Sequence, residues 1–287
     1  MASKTSHIRS ISLPSRSHPT TQRVEEVLNK IKTSELSSDA SESICYGLCR
    51  LAELYQCVDE LLNLPSTIQA LSQQGSQKLG DEFMDRSLRI LDICGITKEI
   101  VSQFKENLRD LQSSLRRRTN TELSLNNYTC FRKKMKRDAK RSMAALKQID
   151  QGVNGIFNLE DECISALIRA LREVTSTSIA VFQSVLMFLS AQSSKPKTSK
   201  WSLVSKLVNK SKMGSCEEQQ ESQNEVENVD SAVESICKND QENEKIQLVQ
   251  NRLEILETGI DGVENGLEGL FRCLIRSRTS LLNIFSC

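Results

Sequence analysis

Residues 246–274 read IQLVQNRLEILETGIDGVENGLEGLFRCL. Their apolar positions are Ile246, Val249, Leu253, Leu256, Ile260, Val263, Leu267, Leu270 and Leu274, which step alternately by three and four. Four heptads of that spacing put one apolar seam on a helix pressed against another helix. Gly259, Gly262, Gly266 and Gly269 each precede a seam residue. Glycine costs about 1 kcal/mol in a helix relative to alanine, so four of them disfavour this helix standing alone. The offset expected is packing, with a glycine ridge admitting a neighbouring backbone. The segment is therefore expected to dock onto the rest of the chain.

A second seam lies upstream. Ile44, Leu48, Leu51, Tyr55, Val58 and Leu62 repeat the same spacing until Pro65. Val24, Val27, Leu28 and Ile31 share a helical face before it. Gly75 and Gly80 are expected to bracket a turn, after which Asp81-Glu82 opens a long helix with a buried stripe through Leu88, Leu91, Ile100 or Val101, Phe104, Leu108, Leu111 and Leu115. Carboxylates suit its positive N-terminal end, and Arg116-Arg117-Arg118 suit its negative C-terminal end. Thr119 to Glu122 has capping-box spacing before a helix carrying Tyr128, Phe131, Met135, Met143, Leu146 and Ile149. Gly152 and Gly155 suggest a break, and Asn158 a cap for the next helix, through Cys163, Leu167, Leu171, Val174, Val181, Val185 and Phe188. No proline occurs between Ser66 and Lys195, which leaves that stretch free to be helical. No β alternation competes. The fold class expected is all-α: a bundle of long helices with coiled-coil-like heptad seams and a low-complexity linker before the final helix.

Composition divides the 287 residues further. Residues 1–20 hold six serines, three cations and no acid, and read as a disordered tail. Residues 21–191 form the expected bundle. Residues 192–243 read as a charged low-complexity linker, and 244–287 as the heptad helix packing back on the bundle. The net charge of +1 hides opposed blocks: Glu217 to Lys245 carries ten acids and two lysines, or −8, and everything else sums to +9. The apolar run Ile179 to Ala191 has 13 residues, short of the ~20 a spanning helix needs, and reads as a core helix.

Several chemistries lack their residues. His7 and His18 are the only histidines, so a catalytic triad or a histidine-based metal site in the body is not expected. Ten cysteines form no CxxC pair, and no phosphate-binding glycine loop or nucleophile elbow occurs. No catalytic residue, cofactor site or metal site is assigned. The polar start lacks an apolar signal core, so reduced thiols and a cytoplasmic location are expected.

Two motifs remain. Arg132, Lys133, Lys134, Lys136, Arg137, Lys140 and Arg141 place seven cations within ten residues of one helix. Such density is relieved by anions: lipid headgroups, nucleic-acid phosphates or the chain's own acidic block, against the plain alternative of a solvated face. A nuclear-import signal shares this composition. Nucleic acid is disfavoured, because Tyr128 and Phe131 are the only nearby aromatics and both fit the core stripe. In the tail, Arg9-Ser10-Ile11-Ser12-Leu13-Pro14 has the form that a 14-3-3 protein reads once Ser12 is phosphorylated.

The order of these stretches resembles a plant family known as domain of unknown function 241, with BYPASS-like members. The matching segments are His7–Pro19, Leu51–Leu71, Asp81–Gly95, Leu115–Arg118, Arg132–Arg137 and Leu256–Ser286. The resemblance implies a plant protein with no assigned enzymatic activity, linked to root and shoot development. The function expected is a non-enzymatic helical adaptor that meets protein partners through its seams, including Leu253, Leu256, Ile260, Val263, Leu267, Leu270 and Leu274. The alternative is a peripheral membrane protein holding anionic lipid through the basic helix.

Overall fold

The structure is a computed structural model and describes residues 19–33, 40–73, 77–151, 162–191, 224–238 and 243–285. The described residues form eight helices and no strand: α1 (Pro19–Thr33), α2 (Ser41–Leu62), α3 (Pro65–Gln73), α4 (Gln77–Arg117), α5 (Thr121–Gln151), α6 (Glu162–Ser190), α7 (Glu225–Lys238) and α8 (Asn243–Phe285). The all-α expectation holds.

The 43-residue helix α8 is the spine. All nine of its expected seam residues are buried, Leu253, Leu256, Ile260, Val263, Leu267 and Leu270 completely. They pack against α2 and α4 within the same chain. The α2 seam from Ile44 to Leu62 is also buried. α2 and α8 run parallel: Ser41 lies beside Gly259, Cys45 beside Gly262, Leu48 beside Gly266, and Asn63 donates to Ser280 at the far end. A Cβ on Gly259 would stand 2.5 Å from the Ser41 hydroxyl, and one on Gly262 would stand 2.7 Å from the Cys45 sulfur. Three glycines thus supply the expected close approach. Gly269 does not, since nothing lies within 4 Å of its would-be Cβ.

α4 lies antiparallel to α8, and cations meet carboxylates along the contact. Lys98 pairs with Glu268, Lys105 with Asp261 and Glu264, Arg109 with Glu257, and Arg116 with Glu254. α5 returns along α4 after a three-residue turn. The Ser124 amide donates to the Asn120 carbonyl, so α5 is capped one residue later than the Thr119–Glu122 spacing sets it.

Four local expectations are corrected. α4 begins at Gln77 rather than Asp81, and Gly80 lies inside it. That glycine serves packing instead of turning, because a Cβ there would meet the Phe285 ring at 2.6 Å. Leu88 is 42% exposed and lies off the buried stripe, which passes through Phe83, Ile90, Cys94 and Val101. Finally, residues 225–238 within the expected linker form α7. Its Val226, Val229, Ala232, Val233 and Ile236 are buried, a helical spacing that the dense acidic composition around it obscured. The rest of residues 192–243, apart from Asn224 and Asn243, lies outside the described residues, as do Gly152, Gly155 and Asn158.

The segment Ser165–Ser190 of α6 is long and apolar enough to cross a membrane by length and composition, yet two thirds of its most apolar window is buried inside the protein. Val181, Phe182, Val185, Leu186, Phe188 and Leu189 are each at most 1% exposed. This is the core helix expected from the run at Ile179–Ala191.

Candidate functional site

The basic cluster lies on α5, and the helix sorts its cations by face. Leu125, Tyr128, Arg132, Met135, Ala139, Ser142, Leu146 and Ile149 are buried, again stepping by three and four. Arg132 therefore occupies a seam position, with its side chain 4% exposed. Its charge is compensated from α7. The guanidinium donates to both Asp230 carboxylate oxygens at 2.8 Å, a bidentate pair. Its remaining arm donates to the Leu189 carbonyl at 2.7 Å, at the end of α6. The Phe104 ring lies 5.4 Å below the guanidinium carbon. The Tyr128 hydroxyl also donates to Asp230, at 2.9 Å, and Lys136 reaches the same carboxylate at 3.3 Å.

These contacts set the protonation states. Burial alone would raise the Asp230 carboxyl, but the hydrogen bonds and charge of Arg132, with Lys136 and Tyr128, hold it below the ordinary range. Tyr128 is pushed well above the usual phenol value, first by burial and then by the adjacent Asp230 charge. The node is an ionised carboxylate clamped by an ionised guanidinium, and it ties α5, α6 and α7 together.

α7 is anchored at its start as well. The Asn224 side chain caps it by accepting from the Val226 amide at 2.9 Å, and donates to the Phe188 carbonyl. Glu225 accepts from the Ser41 amide and hydroxyl, at 3.1 and 2.7 Å, at the first turn of α2. Arg252 of α8 donates to the Asn228 carbonyl.

The outward face of α5 has a different character. Lys133, Lys134, Lys136, Arg137, Lys140 and Arg141 are exposed. Lys134 donates to Gln103, and Arg141 pairs with Asp138. Lys133, Arg137 and Lys140 make no ion pair among the described residues. With exposed Lys147 they follow one helical face at i, i+4, i+7 and i+14, a ridge of about 21 Å at 1.5 Å per residue.

The seven cations singled out from the sequence thus separate into one structural residue, Arg132, one bridging residue, Lys136, two exposed residues with a neighbouring partner, Lys134 and Arg141, and three that form the open ridge, Lys133, Arg137 and Lys140. Sequence reasoning missed Arg132 as a core residue and Asp230 as its partner. A signal existed: Tyr128, Met135, Ala139 and Leu146 fix a spacing of three and four that includes position 132. Ser12 lies outside the described residues. Among the described residues, no group of three or more His, Cys, Asp or Glu is placed to hold a metal ion.

Fold and node together define a helical-bundle protein in which long amphipathic helices are locked by an interior ion pair. The family model described as Protein BPS1 matches residues 47–284, and the chain belongs to that BYPASS-like plant family. Membership is consistent with a role in plant development. No curated protein and no solved structure gives a significant match to the chain.

Proposed function

We propose that this chain is a non-enzymatic helical adaptor in plant root and shoot development, and that the outer ridge of α5 receives an acidic segment of a partner protein. The carrying observation is the set Lys133, Arg137 and Lys140: exposed, collinear and without an ion-pair partner among the described residues. The seam residues Leu253, Leu256, Ile260, Val263, Leu267, Leu270 and Leu274 are buried within the chain, which favours the exposed ridge over the seams as the contact. Like charges at i, i+4 repel, so an acidic partner relieves a cost the free protein carries.

The test is a triple variant, Lys133→Glu, Arg137→Glu, Lys140→Glu. Proteins crosslinked to the wild-type chain in a cytoplasmic extract of seedling roots should be lost with the variant, whose circular dichroism should match the wild type. Equal recovery with both chains overturns the assignment of this face. A second reading, attachment to anionic lipid, is favoured by Leu123, which is 60% exposed near the start of the same helix. Salt-sensitive flotation with phosphatidylserine vesicles but not phosphatidylcholine vesicles, lost in the triple variant, would select it. A 14-3-3 protein as a further partner requires phosphate on Ser12, and Ser12→Ala should abolish that binding.

A further inference from the structure

The turn between α4 and α5 carries a feature that the ridge does not use. Thr119 follows Arg116-Arg117-Arg118, so arginines stand three, two and one residues before an exposed hydroxyl side chain. We propose that Thr119 is a phosphorylation site for an arginine-directed serine/threonine kinase. Its hydroxyl oxygen would attack the γ-phosphorus of Mg·ATP. The bond from that phosphorus to the β–γ bridging oxygen breaks, ADP leaves, and the hydroxyl proton is released.

Access distinguishes this hydroxyl from most others in the bundle. A kinase needs its substrate extended, and a residue inside a packed helix cannot comply. Leu115 and Leu125 are buried, at 1% and 5%, and none of the nine residues between them has a buried side chain. This stretch can open without unpacking the core. Apart from one hydrogen bond from buried Ser114, the links that hold it are surface contacts: Arg116 to Glu254, with side chains 61% and 59% exposed, Arg117 to the Ser113 hydroxyl, and Arg118 to Asn243. Exposed pairs of this kind contribute little. The last carbonyls of α4 also lack intrahelical donors, as at any helix end. Arg118 and Asn120 both sit at φ 53°, the left-handed region that non-glycine residues rarely adopt, so leaving the turn releases strain. Ser114 fastens the segment by donating to the Thr119 carbonyl at 2.6 Å, a backbone contact that leaves the Thr119 hydroxyl unengaged by it.

The product also has a place to rest. Phosphate adds about −1.5 to −2 charge and three acceptor oxygens. At Thr119 it lies two residues before the first residue of α5, where the free amides and helix dipole favour anions. Arg117 lines the adjacent polar cleft with Ser113, Ser114, Asn120 and Ser124. A phosphate drawing Arg118 to itself would compete with the Arg118–Asn243 bond, and so would act on the first residue of α8.

The experiment uses the full chain in its native state with Mg·ATP and the catalytic subunit of cyclic-AMP-dependent protein kinase, followed by mass-spectrometric site mapping. Ser12→Ala is included throughout, because Arg9 stands three residues before Ser12. Expected is phosphate on Thr119, absent in Thr119→Ala, retained in Thr119→Ser, and formed at least tenfold more slowly with Arg116→Ala, Arg117→Ala. Thr119 is exposed, so its alanine variant should fold, as circular dichroism would show. Phosphate confined to other sites, incorporation at Thr119 only after heat unfolding, or rates indifferent to both arginines would each overturn the proposal.

Discussion

Replacing Asp230 by asparagine tests the central node most directly. The change keeps the side chain's shape and one oxygen acceptor but removes the charge opposite Arg132. Breaking a buried pair by neutralising one partner costs about 3–5 kcal/mol, because the other charge remains uncompensated. Two features lower the figure here: Asp230 is 23% exposed, and Arg132 keeps its bond to the Leu189 carbonyl. A loss of roughly 2–4 kcal/mol is therefore expected, read from urea unfolding followed by far-ultraviolet circular dichroism. At ~2–4 °C per kcal/mol for a chain of this size, Tm should fall by roughly 4–16 °C. Hydrogen exchange should show where the loss falls, with amides of residues 225–238 exchanging faster than those of the α2–α8 contact.

The pH dependence has a fixed sign. The folded pKa of Asp230 lies below its unfolded value of about 3.9, so its contribution is complete above that value and is lost as pH falls through the folded one. The difference between wild type and variant should accordingly shrink below about pH 4. A double change, Arg132→Met with Asp230→Leu, should recover most of the loss, less about 1 kcal/mol for the Tyr128 hydroxyl left without its acceptor. If Asp230→Asn unfolds within about 0.5 kcal/mol of wild type, the node does not hold α7 and the reasoning fails.

Three further outcomes are expected. Gly262→Ala should destabilise by about 1–3 kcal/mol, because its Cβ would press on the Cys45 sulfur at 2.7 Å. Gly269→Ala, with open space, should instead stabilise by up to about 1 kcal/mol through helix propensity; calorimetric shifts of the same sign for both would contradict the packing account. Among the described cysteines, exposed Cys49 and Cys130 should be alkylated first by iodoacetamide at pH 8, whereas Cys94, whose thiol burial pushes up to about 12, should react only after denaturation. Leu267→Asp, at a fully buried seam position, should abolish cooperative unfolding altogether, since a carboxylate there has no partner.

The resemblance read from the sequence and the matching family model agree on the plant family, and the helical class agrees with the described residues. Helix type was legible because an apolar spacing of three and four is a property of local order along the chain, and the seams of α2 and α8 carry it without interruption. The glycine ridge was legible for a similar reason: helix-breaking residues in register with a seam require compensation by packing.

Other features were not legible, because they depend on which surfaces meet. Which neighbour lies against the ridge is a tertiary fact, and it explains why Gly262 faces Cys45 while Gly269 faces open space. α7 passed as linker because composition averages over a segment, whereas burial acts on one face of it. Arg132 passed as one cation among seven because charge density along a sequence says nothing of direction. Local periodicity therefore determined the elements of this protein and one side of each contact. Only the three-dimensional packing decided that Asp230 meets Arg132, since that pairing spans 98 residues and exists only when α7 lies across α5.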